Sequence, residues 1–232
     1  MQHRKLTAVA VFAIAMAYLE SAVVVYLRRL YHIDDIATDI PNFDSTIAAI
    51  EFGREAATIL MLLSIGWIAG QSFQSRIAFA FFTFGIWDIF YYFWLWVFIG
   101  WPTSLLDTDL LFLIPLPWWG PVLSPILIAV LMVVGGIITV GIDQKGLKIR
   151  PIWSDWTILF MGTIVVLYTF MADALAALPV APDELNKVEP TAFHWSIYSV
   201  GFILLSWAVW QSIWVKPLKS RLNKPPSRND QV

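Results

Sequence analysis

Six stretches of this 232-residue chain are long and apolar enough to cross a lipid bilayer: 6–27, 45–70, 76–100, 120–142, 154–178 and 192–215. A hydrocarbon core of about 30 Å takes about 20 residues of helix, rising about 1.5 Å per residue. Every run meets that length. None alternates strictly between apolar and polar, and all exceed the roughly ten residues of a membrane barrel strand. In lipid a helix also satisfies its own backbone hydrogen bonds. The sequence therefore predicts an all-α polytopic membrane protein with six transmembrane helices in one domain over 1–215, followed by a basic, disordered tail over 216–232.

Only 14% of the residues are charged, against about 25% in an average soluble domain, which excludes an ordinary soluble enzyme. With no cysteine, disulfides, thiolate ligands and cysteine nucleophiles are excluded as well. Three histidines make a His-rich zinc site a poor expectation.

Lys and Arg in the flanks set the orientation. With the N-terminus inside, the inner segments hold Arg4, Lys5, Arg76, Lys145, Lys148, Arg150, Lys216, Lys219, Arg221, Lys224 and Arg228. The outer segments hold only Arg28, Arg29 and Lys187. Both termini are therefore expected in the cytoplasm, and the membrane is expected to be a bacterial inner (plasma) membrane. Trp67, Trp153, Trp156, Trp210 and Trp214 then fall at the inner interface, and Trp101, Trp118, Trp119 and Trp195 at the outer one. The start resembles a signal peptide, with Arg4 and Lys5 before an apolar run and Ala15-Met16-Ala17 as a cleavage-like triplet. The run continues to Leu27, which suits an anchor better.

Residues 105–125 are apolar but hold Pro115, Pro117, Pro121 and Pro125. Proline removes a donor and breaks helices. A re-entrant or interfacial segment over 110–119 on the outer side is expected before the fourth helix, with a kinked start to that helix as the alternative. No repeat relates the first three helices to the last three, so the repeat architecture of many transporters has no support.

The functional lead is a set of charges inside the apolar runs: Glu20, Glu51, Arg54, Glu55, Asp88 and Asp173. An ionisable group near the bilayer centre costs about 2.5–3.5 kcal/mol on the insertion scale. For Glu20, Glu51, Glu55 and Asp88 that sums to roughly 10–14 kcal/mol before partners are counted, so partners should lie nearby. Glu51, Arg54 and Glu55 share one helix face through i+3 and i+4 spacing. Asp88 shares a face with Tyr91 and Tyr92, whose hydroxyls can donate to carboxylates. By the topology Glu20, Glu51, Glu55 and Asp173 fall toward the outer half and Asp88 near the middle of the third helix, with Asp107 and Asp109 just outside. Arg54 can neutralise one acid of four, leaving protons or a bound cation to meet the remainder.

The expected ion- or proton-binding set is therefore Glu20, Glu51, Glu55 and Asp88, supported by Arg54, Tyr91, Tyr92 and Asp173. If the same four carboxylates hold a metal, with His194 as a further candidate ligand, an oxygen-rich set without sulfur favours Mg²⁺, Ca²⁺, Mn²⁺ or iron. The aromatic density of residues 81–101 reads as packing and lipid-facing surface, or as the wall of a crevice for a lipid or isoprenoid tail. Three functions fit these residues. A proton- or cation-coupled transporter ranks first. A membrane-embedded enzyme acting on a lipid-like substrate, metal-dependent or not, is the alternative, with a non-catalytic subunit of a membrane complex beside it. Expected partners are membrane lipids and a small ion or lipid-like substrate; no nucleic acid is expected. Phosphate loops, nucleophile elbows and zinc-protease signatures are all missing.

Overall fold

The structure is a computed structural model that describes residues 2–33, 45–112, 116–179 and 190–215. The expected tail over 216–232 and the outer loop around Lys187 lie outside these residues. The described residues form six α-helices: α1 (Gln2–Tyr31), α2 (Ser45–Ala69), α3 (Phe73–Ile99), α4 (Leu123–Gln144), α5 (Trp153–Ala177) and α6 (Trp195–Trp210). A five-residue π-helical turn, Gln211–Val215, continues α6. All six are long and apolar enough to cross a membrane.

Their ends have local causes. Ser72 caps α3: its hydroxyl accepts from the Ser75 amide while the Ser75 side chain accepts from the Ser72 amide. Gly100 ends the same helix in the left-handed region, at φ 69°, and its amide reaches Trp96 O at 2.9 Å. Asp155, in the first turn of α5, accepts from the Ile152 amide at 2.9 Å. It both caps that helix and suits the positive end of its dipole.

Between α3 and α4 the chain forms a two-stranded antiparallel ribbon, β1 (Thr108–Phe112) with β2 (Trp118–Pro121), which the all-α expectation does not contain. Asp109 stands opposite Gly120 and Leu110 opposite Trp119. The reason lies in donors: a ribbon tolerates Pro121 at a strand end, whereas a helix through Pro117 and Pro121 would lose successive backbone bonds. The fourth helix accordingly starts at Leu123, not Gly120, and keeps Pro125 in its first turn, where an amide has no acceptor in the helix anyway.

Helix α3 is the hub, packing on α1, α2 and α4. Helices α5 and α6 pack on each other and meet the rest mainly through β2 and α4. Glycines set the close approaches. A Cβ on Gly85 would stand 2.5 Å from Ala129 O, and one on Gly162 would stand 3.0 Å from Gly201 O. At the inner end by the expected orientation, polar side chains tie the loops together. The Ser72 hydroxyl donates to Asp143 Oδ1 at 2.6 Å. Gln74 accepts from the Ile149 amide at 2.8 Å and donates to Leu147 O at 3.3 Å. At the opposite end the Tyr198 hydroxyl of α6 donates to Ser124 O of α4 at 2.6 Å.

The outward faces are apolar. Ile68, Phe73, Trp153 and Ile203 are all more than 60% exposed. Such faces would associate in water and are compatible with a membrane location. Inward, Ala13, Phe79, Leu95 and Ala174 are completely buried.

Candidate functional site

A cavity of about 1040 Å³ lies between the α1–α4 group and the α5–α6 pair. Glu20, Glu51, Glu55 and Asp88 all line it, as do Arg54, Tyr91 and Tyr92. The structure thus brings together the four carboxylates and three of the four supporting residues singled out in the sequence.

The spacing on α2 explains the first part of this site. Glu51 and Arg54 are three residues apart, and Arg54 Nε donates to Glu51 Oε2 at 2.8 Å, with Nη2 also 2.8 Å from that oxygen. The remaining arm of the guanidinium, Nη1, pairs with Glu20 of the neighbouring α1. One arginine therefore forks between carboxylates of two helices, as its rigid planar donors permit. Thr58, one turn further along α2, donates to the other Glu20 oxygen at 3.1 Å. Glu51 and Glu55 are both buried.

Asp88 differs from these acids. It sits on the cavity wall of α3 and forms no hydrogen bond or ion pair with a described residue. The Tyr92 hydroxyl, expected to serve it, donates instead to Asp109 Oδ2 at 3.0 Å. Asp109 is 1% exposed and lines the same cavity from β1. Burial pushes its carboxyl up, against the pull of Arg28, the Tyr92 hydroxyl and the Leu110 amide, to about 6. Arg28, at the end of α1, lines the cavity too and lies 4.4 Å from the centre of the Trp101 ring, in cation–π contact. The adjacent Asp107 behaves in the opposite way. Its slight burial is outweighed by bonds from the Ser104 amide and from the Thr103 hydroxyl and amide, which hold it below the ordinary carboxylate range.

Asp109 and Arg28 are not among the site residues that the sequence predicts. The available signal for Asp109 is one of two acids, with Asp107, in an otherwise apolar, proline-rich segment; a linear reading puts both in an outer loop. Arg28 reads in the sequence only as a topology charge.

Asp173 and His194 lie elsewhere. Asp173 accepts from the Thr191 hydroxyl at 2.7 Å and from its amide at 3.1 Å. It lines a small hollow beside β2 that His194 also lines, and neither residue lines the large cavity. The cluster support expected from Asp173 is thus a loop tie at the end of α5, and His194 is exposed. Among the described residues no three His, Asp or Glu side chains are gathered closely enough to hold one metal ion.

Most of the cavity wall is apolar, with Phe81 and Phe84 from α3, Met132 from α4, Leu167 and Phe170 from α5, and Val209 from α6. The aromatic stretch of α3 divides between two environments. Phe81, Phe84, Trp87 and Tyr91 line the cavity, while Phe93 and Trp96 face outward. Trp87 is 5% exposed, and its Nε1 has no hydrogen-bond partner among the described residues. The arrangement is amphipathic: a polar zone of carboxylates, arginines and tyrosines at one end of a long apolar chamber. Comparison with protein-family models, with curated proteins and with solved structures finds no match to this chain.

Proposed function

We propose that this chain is a six-span membrane protein, with both ends in the cytoplasm, that takes a lipid-like molecule into its intramembrane cavity and acts on the molecule's polar end as an enzyme. The observation that carries this reading is the cavity of about 1040 Å³ with five of its six lining carboxylates in one zone, Asp155 standing apart, and apolar lining over most of the remainder. Pockets of this volume suit small molecules and cofactors. An apolar wall favours a hydrocarbon body and disfavours a hydrated ion, which would lose its water without replacement ligands.

In this reading the residues divide the work. Arg54 holds Glu20 and Glu51 in place and so fixes one side of the polar zone. Asp88, on the wall without a partner among the described residues, is the candidate general acid or base, because a group that exchanges protons with substrate must be within reach of it. Glu55 and Tyr91 flank the same space.

The transport reading rests on a separate observation. The cavity lining also includes Gln74, Ile149 and Asp155, at the opposite ends of the helices from Glu51 and Arg28. A coupled transporter would use that reach, with Asp88 as the proton-carrying group. One experiment divides the two. The full chain and its Asp88→Asn variant are reconstituted in vesicles of a total bacterial lipid extract, and the lipids are profiled by mass with time. The enzyme reading expects one lipid class to fall and a product of altered head mass to rise, with the parent only. An unchanged profile would sink the enzyme; Asp88-dependent proton uptake into the vesicles would then favour transport.

A further inference from the structure

The length of the chamber, and the loop across its far end, bear on which chain it accepts; this inference rests on the reading that the cavity holds a lipid-like molecule. Three helices give the length. On α3 the lining continues beyond Asp88 as far as Gln74, 14 residues away. On α4 it runs from Pro125 to Thr139, also 14 residues, and on α5 from Phe170 to Asp155, 15 residues. At about 1.5 Å per residue each stretch is roughly 21–23 Å. One leaflet of hydrocarbon is about 15 Å deep, half of a core of about 30 Å. The chamber is therefore longer than one leaflet is deep.

The end away from the carboxylates is crossed by a strapped loop. The chamber lies between α4 and α5, so the residues that join these helices, 145–152, pass over its end. Ile149 and Pro151 of this loop line the chamber. Gln74 ties the loop to α3, accepting from the Ile149 amide at 2.8 Å and donating to Leu147 O at 3.3 Å. Ile213, in the π-helical turn after α6, lines the same end and is buried. The polar side chains here are engaged within the protein: Gln74 by the loop, and Asp155 by the Ile152 amide at 2.9 Å. What meets the end of a chain is then apolar, from Ile149, Pro151 and Ile213.

We infer that the chamber measures chain length: it takes a lipid whose extended hydrocarbon chain reaches from the carboxylate zone to the strapped loop, with Ile149 setting the upper limit. Entry from a bilayer brings no hydrophobic gain, because acyl chains are as apolar as the wall. Discrimination therefore comes from fit. A chain that stops short leaves the last part of the wall without contacts and forfeits their dispersion energy. A longer chain meets a loop whose backbone Gln74 holds, and must buckle or draw its polar end away from the carboxylates.

The test uses the full chain in nanodiscs of a total bacterial lipid extract, enriched with an equimolar ladder of even-numbered saturated alkanols from decanol to tetracosanol. Native mass spectrometry of the released protein compares the chain lengths retained with those supplied. The parent is expected to retain a narrower distribution than the supply, with a definite upper limit. Ile149→Trp should move that limit at least one step shorter, and Ile149→Ala at least one step longer; either variant decides alone if the other is not recovered folded. Gln74→Ala, which frees the loop, should blur the limit. Ile203→Trp, on the outward face of α6, should retain the parent's distribution. A parent distribution that mirrors the supply would overturn the inference, and so would a limit that the Ile149 variants leave in place. A parent that retains no lipid or alkanol at all would overturn the underlying cavity reading instead.

Discussion

Arg54 does more to organise the polar zone than any other single side chain. It holds Glu51 on its own helix and Glu20 on the next, so α1 and α2 meet through its guanidinium. Removing one partner from a buried charge group costs about 3–5 kcal/mol, so Arg54→Met should lose stability of that order in detergent, seen as a clear fall in melting temperature. Adding Glu51→Gln should recover part of the loss, because the remaining acid repulsion falls. Lys should substitute poorly, having a point charge where a fork is needed. A single mutant that melts like the parent would remove Arg54 from the account. Asp109 gives a pH signature. Its carboxyl, lying outside the helices, is pushed by burial from 3.8 up to about 6, so the folded state holds its proton more tightly than the unfolded chain does. Its contribution is fully present below about pH 4 and is lost as pH rises through about 6, by roughly 3 kcal/mol at about 1.4 kcal/mol per unit. Asp109→Asn should flatten the fall in melting temperature between these pH values, and a variant with the parent's slope would contradict the assignment. Much of this site is legible in the sequence. The i+3 pair on α2 and the cost of charges in apolar runs are enough by themselves to imply that the acids converge. The partnership of Tyr92 with Asp109 is not legible, because it depends on a ribbon folding back over α3.

The elements themselves show where local patterning suffices. Apolar runs of helix length locate all six helices, with ends displaced by a few residues, by the cap at Ser72 and by the proline-bearing ribbon before Leu123. The prolines of 105–125 imply a break in the helical pattern, and α4 begins inside that range, at Leu123, but proline content does not distinguish a ribbon from a re-entrant loop. The pairing of Asp109 with Gly120 requires two segments to meet, and periodicity within one segment carries no such information. Helix contacts give a direct check. Gly85→Ala would set a methyl 2.5 Å from Ala129 O at the α3–α4 crossing, whereas Gly141→Ala on α4 meets nothing within 4 Å. Overpacking of this kind costs about 1–3 kcal/mol, while an open helical Gly→Ala change is neutral or favourable by up to about 1 kcal/mol. Thermal unfolding of the two variants should therefore separate clearly, Gly85→Ala low and Gly141→Ala at or above the parent. Equal melting would mean that α3 and α4 do not cross as described.

At the scale of the whole molecule, outward apolar faces and six helices of spanning length are compatible with a membrane location, and the orientation proposed above can be tested. The chain has no cysteine, so single cysteines report topology without background. Ser104 and Gln144 are both exposed, at opposite ends of the helices. In intact cells, a cysteine at Ser104 should react with an impermeant maleimide from outside and one at Gln144 should not; the reverse pattern would invert the orientation. The central claim, that the chamber between the α1–α4 group and the α5–α6 pair holds a lipid-like molecule, is tested most directly by native mass spectrometry of the protein released from nanodiscs. The account predicts one retained apolar molecule per chain in the parent, and its loss when Met132→Trp fills the chamber from the α4 wall. A parent that flies empty, or an adduct that persists unchanged in Met132→Trp, would contradict it.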